Sequence, residues 1–308
     1  MQNVLLLGSQ GFMGNFLADK LNKCGLDVIR FDKAEVASDK QEAGYRYICG
    51  DFTTEYDYKS LFNEFSIDTI YHLISTTVPD FKTETIIDEI KENVFPTLSL
   101  LEAMRKSDIK KMVFVSSGGT VYGESNGIAH KPDKKLQPIC SYGIYKSMIE
   151  SYFHLYNKYY DIDYSIARIS NPYGEYFQKN RTQGLIPILI NRLYNNEPIN
   201  LYGDTKRDYI YIDDVIEALY KIGVYNGPMK IFNIGSGVAY TLSQIVEKIE
   251  NTTGKRFVEI TRLPIRKCDV LENVLDISET MKELNWRPRH DIDTGILELL
   301  KSEQFLTK

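Results

Sequence analysis

A chain of 308 residues is long enough for one large domain or two moderate ones around a buried core. Its 43% hydrophobic and 26% charged content is that of a globular protein, and a net charge of −5 with dispersed basic residues excludes the basic stripe that nucleic acid requires. The pairs Lys110-Lys111 and Lys134-Lys135 read as solvated surface. No apolar run reaches membrane-spanning length, and the N-terminus enters a strand with no charged leader. The four cysteines, Cys24, Cys49, Cys140 and Cys268, show no metal-like spacing. A reduced, cytoplasmic protein with no metal and no membrane partner is expected.

The first element is the apolar run Val4–Leu7, a buried strand that enters a turn with glycines at 8, 11 and 14. Phe12 to Cys24 has helical spacing, so the turn opens a helix. Side chains would hold the backbone away from a bound pyrophosphate, and the helix N-terminus offers N–H groups and a positive dipole end to that anion. The pattern is GxxGxxG, one residue looser than GxGxxG, and its place between strand and helix gives it meaning.

A second strand, 26–32, ends in Asp32, eighteen residues beyond Gly14, where a ribose-binding carboxylate belongs. Such a carboxylate accepts from both ribose hydroxyls and repels a 2′-phosphate, which favours NAD over NADP. Strands at 45–49, 67–74 and 111–116 follow, with a long helix from about 83 to 106 before the last of them. Five rounds of alternation are the pattern of a doubly wound α/β parallel sheet of the Rossmann type. After a polar loop, 124–138, a helix from Tyr142 to about Tyr160 and a strand at 164–169 complete it. From Asn171 the segments shorten and the alternation lapses. Residues 1–170 are therefore expected to form the dinucleotide-binding domain, with 171–308 mainly a smaller α/β substrate lobe from which about 209–223 returns.

Tyr142 and Lys146 lie four apart at the start of a helix and share a face. An ammonium beside a phenol favours the phenolate, and a nicotinamide cation close by would lower its pKa further, giving a general base for a sugar hydroxyl at neutral pH. Spacing does not single this pair out, because Tyr202 and Lys206 repeat it. Position does: Tyr142 follows the fifth strand's glycine turn, above the carboxyl ends of the strands, where ligands bind in open α/β sheets.

These segments occur in a known order. GSQGFMG at 8–14, Asp32, Asp51, His72-Leu73, Asn93, SSGGTVYG at 116–123, YGIYK at 142–146 and NPYG at 171–174 resemble an extended short-chain dehydrogenase/reductase. RDYIYIDD at 207–214, FNIGSG at 232–237, Arg266 with Asp269, and LNWRP at 284–288 extend the match almost to the end. The chain is similar to the nucleotide-sugar epimerase/dehydratase branch, typified by UDP-glucose 4-epimerase. The resemblance implies that Gly8, Gly11, Phe12, Met13 and Gly14 hold the pyrophosphate of NAD and that Asp32 holds the adenosine ribose. It implies that Asp51 and Phe52 meet the adenine, and that Leu73, Ser75, Asn93 and Ser116 line the cofactor channel. Tyr142 becomes the base and Lys146 its partner, bonded also to the nicotinamide ribose. Asn171, Arg207, Arg266 and Asp269 match positions that hold a nucleoside-diphosphate sugar, a task that suits arginine's planar fork. His72 reads as a satisfied strand-end histidine.

The departures are as informative. The third catalytic hydroxyl of 4-epimerases falls on Gly118, leaving Ser117 and Thr120 as the nearest substitutes. Gly118-Gly119-Thr120 lacks the acids of the dehydratases. Asn273 stands where a tyrosine crowds C2 of the sugar in hexose-only enzymes, which implies room for an acetamido group. The expectation is a C4 epimerase of UDP-glucose/galactose or their N-acetyl forms, working through a 4-keto sugar. The alternatives are an NAD(P)H-dependent reductase of a 4-keto-6-deoxy nucleotide sugar and a non-catalytic NAD-binding scaffold. Helices 83–106 and 141–160, carrying Tyr152, Phe153 and Tyr156, imply a homodimer by family habit; the other reading is that these stripes face the sheet.

Overall fold

The structure is a computed structural model that describes residues 2–36, 41, 44–77, 86–109, 111–175 and 184–302. In chain order its elements are β1 (Asn3–Leu7), α1 (Phe12–Lys23), β2 (Asp27–Asp32), β3 (Tyr45–Cys49), α2 (Tyr58–Glu64), β4 (Thr69–His72), α3 (Ile86–Glu89), α4 (Phe95–Arg105), β5 (Lys111–Ser117) and α5 (Ser141–Tyr160). There follow β6 (Asp163–Ile169), β7 (Asn171–Tyr173), α6 (Leu185–Tyr194), β8 (Ile199–Tyr202), β9 (Lys206–Tyr211), α7 (Ile212–Val224) and β10 (Ile231–Ile234). The last are β11 (Ala239–Thr241), α8 (Leu242–Thr253), β12 (Ile260–Leu263), β13 (Glu272–Asn273), α9 (Ser278–Leu284) and α10 (Ile292–Ser302).

Seven strands form one parallel sheet in the order β10-β6-β5-β4-β1-β2-β3. Val4 and Leu6 of β1 enter one buried cluster with α1 and α7, while Leu5 and Leu7 enter the other with α2, α4 and α5. That is the period-two division of a strand buried on both faces, and it explains why this run is continuously apolar. From β1 the chain builds outward through β2 and β3, then returns to place β4 on the other side of β1. The crevice at the carboxyl ends of β1 and β4 is therefore the topological switch point, the ligand position of such sheets.

The helix expected over 83–106 is broken; its first positions, 83–85, lie outside the described residues. α3 passes into a π-helical turn, Ile90–Val94, before α4 begins. Pro96 has no N–H to offer the carbonyl four residues earlier, so the ladder loosens, and the Phe95 N–H bonds Ile90 O instead.

The smaller lobe is built on β9, flanked by antiparallel β11 and parallel β13, with β7 also paired to β9. Of the expected return at 209–223, Tyr209–Tyr211 stays in this small sheet, while α7 packs on α1 and β6. β10, from beyond that range, becomes the outer strand of the large sheet beside β6. Two lysines expected as solvated surface are partly buried instead. Lys111 Nζ donates to Tyr225 O at 2.6 Å, and Lys134 Nζ bonds His130 Nδ1 at 2.8 Å.

Candidate active site

β1 ends at Leu7 in a turn too tight for side chains. Gly8 holds φ +83°, and a Cβ on Gly14 would lie 2.1 Å from the Gly8 carbonyl oxygen. α1 starts behind it with Gly11 at the N-cap and no side chain capping the end. A dipole end shielded by no side chain, met by a backbone that nothing crowds, fits a pyrophosphate. The rings and chains of Phe12 and Met13 pack into the core, so their part in this cradle is through the backbone. At the end of β2, Asp32 accepts the Gln10 N–H at 2.9 Å and the Ala34 N–H at 3.2 Å, tying the carboxylate to the turn. It lines a cavity of about 200 Å³ with Gln10, Arg30 and Tyr47. Leu73 packs against Gly8, its N–H bonded to Leu7 O at 3.0 Å. Asp51 is exposed beside this end of the sheet. Together these groups fit a dinucleotide with a free adenosine ribose.

Three expected cofactor contacts need correction. The Phe52 ring is buried against His72, with centroids 4.9 Å apart, so only its backbone can meet an adenine. Asn93 is buried and its amide is spent. Its Nδ2 donates to Thr76 Oγ1 at 2.8 Å and Glu89 O at 2.9 Å, and its Oδ1 accepts the Thr76 N–H at 3.0 Å. It holds the segment after β4 in place instead of lining the channel. The Ser116 hydroxyl turns away from the crevice and donates to Glu150.

α5 brings Tyr142 and Lys146 to the crevice. Lys146 is buried, donates to Val115 O at 3.0 Å, and places Nζ 5.7 Å from the Tyr142 ring centroid. The Ser75 hydroxyl bonds that of Tyr145 at 2.8 Å. The expectation of an acidified phenol is not met by the protein's own groups. Burial pushes Tyr142 up to about 12, with the Ser75 hydroxyl opposing, and burial pushes Lys146 down to about 7, with Glu150 opposing. Desolvation disfavours the charged form of each, the phenolate of Tyr142 and the ammonium of Lys146. The turn after β5 packs on the same helix end: a Cβ on Gly143 would lie 2.7 Å from the Thr120 carbonyl oxygen. Thr120 is thereby brought against the first turn of α5, and both Ser117 and Thr120 are partly exposed. His72 is buried, its Nε2 bonded to Thr97 Oγ1 at 2.9 Å, and its Nδ1 has no hydrogen-bond partner among the described residues.

The sheet built on β9 brings together the residues expected to hold a sugar nucleotide. β13 pairs with Lys206 and Arg207, which draws the 266–269 turn over β9. Asp269 sits between two guanidinium groups, 3.7 Å from Arg207 and 2.7 and 3.1 Å from Arg266. Asn171 Nδ2 donates to Asp208 O at 2.9 Å beside them. Asn273 departs from its expected place. It is fully buried and its amide donates to Gly118 O at 3.1 Å, so it offers a sugar no accessible surface. Sequence reasoning missed Glu150 and Arg168. The signal was there for the first: Glu150 lies one turn beyond Lys146 on the same face of α5.

The model of the NAD dependent epimerase/dehydratase family matches residues 4–235. The dTDP-4-dehydro-6-deoxyglucose reductase of Escherichia coli is 34% identical, over 97% of this chain and 96% of its own. A putative UDP-glucose 4-epimerase of Methanocaldococcus jannaschii is 31% identical, over 95% of each chain. Among solved structures, the UDP-glucose 4-epimerase of Thermotoga maritima with UDP-glucose superposes with a TM-score of 0.90 at 26% identity, covering all of both chains.

Proposed function

The chain belongs to the NAD-dependent epimerase/dehydratase family, and we propose that it is a nucleotide-sugar epimerase acting at C4, on UDP-glucose/galactose or the N-acetyl forms. The observation that carries this reading is Tyr142 with Lys146 on α5, the ammonium 5.7 Å from the ring centroid, and the Arg207–Asp269–Arg266 bracket supports it as a diphosphate holder.

NAD, when bound, would supply a reversible hydride acceptor at the sugar carbon and a nicotinamide cation whose positive charge favours the phenolate. Gly8, Gly11 and Gly14 hold its pyrophosphate and Asp32 its ribose. Tyr142 takes the proton of the C4 hydroxyl, with the Ser117 or Thr120 hydroxyl steadying the oxygen as it becomes a carbonyl. Arg207 and Arg266 hold the diphosphate in charge-assisted pairs while the 4-keto sugar turns its other face, and Tyr142 gives the proton back. No net redox occurs.

The 34% identity to a 4-keto sugar reductase supports a second reading. The same Tyr142 would then donate its proton to a C4 carbonyl, and the reduced cofactor would be consumed. Stoichiometry separates the two. The protein is incubated with UDP-sugars, and with a dTDP-4-keto-6-deoxy sugar plus NADH. Interconversion of UDP-sugars without change at 340 nm supports the epimerase; loss of 340 nm absorbance equal to product formed replaces it with the reductase.

A homodimer goes with this reading. Tyr152, Phe153 and Tyr156 are poor evidence for it, because Phe153 and Tyr156 are buried in the protein's own core and Tyr152 packs on it. The exposed large apolar residues of α4 and α5, among the described residues, are Ile144, Leu155, Tyr159 and Tyr160 of α5 and Phe95 of α4. Light scattering on the wild type and on Leu155→Glu tests the assembly: a wild-type monomer removes it.

A further inference from the structure

Behind Lys146 lies a buried ion pair that the chemistry above does not use. Glu150 and Arg168 are each 4% exposed at the side chain, with Arg168 NH2 2.6 Å from Glu150 Oε2 and Nε 3.1 and 3.2 Å from the two carboxylate oxygens. Arg168 NH1 donates to the Tyr122 hydroxyl at 2.7 Å and to Pro132 O at 2.8 Å, so no guanidinium nitrogen lacks an acceptor. Ser116 donates its hydroxyl to the same carboxylate from β5. Its neighbour Val115 accepts from Lys146. Consecutive residues of β5 thus hold the two charged side chains of one face of α5, a helical turn apart. A buried ion pair is a poor source of stability but a rigid frame once every donor is satisfied.

We propose that Glu150, clamped by Arg168 and Ser116, is the positioning residue for Lys146, fixing a carboxylate one helical turn from the ammonium that serves the cofactor and Tyr142. The inference rests on Lys146 belonging to the cofactor site, but not on which sugar is bound or whether one is reduced. The groups facing Lys146 are the rings of Tyr142, Tyr145 and Phe114, the Val115 carbonyl and His72, which burial keeps neutral near neutral pH. Among the described residues, Glu150 is the carboxylate whose charge acts on Lys146, and it raises a group that burial otherwise lowers. Arg168, ion-paired to it, carries the opposite charge. If Glu150 and Arg168 act on the ammonium through their charges, removing one and removing the other should move its titration in opposite directions.

The test is the affinity for NAD, measured calorimetrically between pH 6 and 9 with no sugar present. Wild-type affinity is expected to fall as Lys146 loses its proton. Glu150→Gln is expected to move the midpoint of that fall down by about one pH unit, and Arg168→Met to move it up by about one. Midpoints that move together, or that stay at the wild-type value, overturn the proposal. Where a single variant does not fold, Glu150→Gln/Arg168→Met leaves no lone buried charge and is read instead. A midpoint lowered by about half a unit supports the proposal, because the nearer carboxylate is gone, and an unmoved one overturns it. Opposite shifts in a protein that turns over no sugar nucleotide would uphold this inference while removing the epimerase and reductase readings.

Discussion

The ammonium of Lys146 lies 5.7 Å from the centre of the Tyr142 ring, on the inner side of α5. With the phenol held near 12 by burial, its proton is released only when positive charge is added close by. Tyr142→Phe keeps the ring and removes the acid–base group. Turnover is expected to fall by about 10²–10⁴-fold, the usual worth of a positioned acid–base group, with NAD affinity changed little. Rate and calorimetric titration on the same preparation check this. Wild-type rates in the variant would end the catalytic account.

Arg207 is held near Asp269, and burial lowers its pKa, so it is a poorly solvated cation waiting for an anion. Hydrogen bonds to charged groups contribute about 1.5–3 kcal/mol, equivalent to about 10- to 100-fold in binding. Arg207→Ala is expected to raise KM for the sugar nucleotide by that factor, with kcat changing much less. Arg266 is half exposed and lies over the Tyr202 ring, and Arg266→Ala should cost less. Steady-state kinetics separate the two outcomes. A fall in kcat at constant KM would place Arg207 with the chemistry instead of the diphosphate.

The large sheet, the glycine turn and the catalytic helix were legible because each rests on a local pattern: a continuous apolar strand, a turn nothing but glycine can make, a tyrosine and a lysine one helical turn apart. What stayed hidden was decided by distant partners. Ser116 follows the expected motif, yet its hydroxyl goes to Glu150, thirty-four residues on. Asn93 is turned inward by a π-helical turn that the sequence marks only through Pro96. Asn273 looks open in the chain and is closed by pairing between β13 and β9. Spacing likewise shows that an ammonium is near the phenol, not how deeply both groups are buried.

Buried titratable groups set a pH dependence with two signs. His72 and His130 are held by burial at about 3 and about 4, below the ordinary 6.5. Their stabilisation is complete above 6.5 and is lost as pH falls toward those values. Asp208 runs the other way. Burial raises it from 3.8 to about 6 despite bonds from the Ser236, Gly237 and Leu275 N–H groups, so its contribution is present at low pH and is lost as pH rises through 6. Two histidines outweigh one aspartate, and the melting temperature should drop between pH 6.5 and 4.5. Asp208→Asn removes the opposing slope and should steepen that drop, whatever constant offset its lost bonds add. Thermal melts across the window check the slopes; a shallower drop in the variant would contradict the assignment.

Gly118 stands where the resemblance implies a hydroxyl, and the packing around it leaves little room for one. A Cβ there would lie 2.6 Å from Leu275 Cδ1 and 3.1 Å from the Arg168 carbonyl oxygen. Leu275 is buried and its N–H bonds Asp208, so its backbone is not free to retreat. Gly118→Ser should therefore cost about 1–3 kcal/mol of stability, the usual price of overpacking. Shortening the clashing side chain relieves the contact: Leu275→Val alone costs stability by loss of packing, but together with Gly118→Ser it should cost less than the sum of the two. The difference, a coupling of about 0.5–3 kcal/mol, is read from denaturant melts of the four proteins. Simple additivity would show that Leu275 is not what keeps this position a glycine.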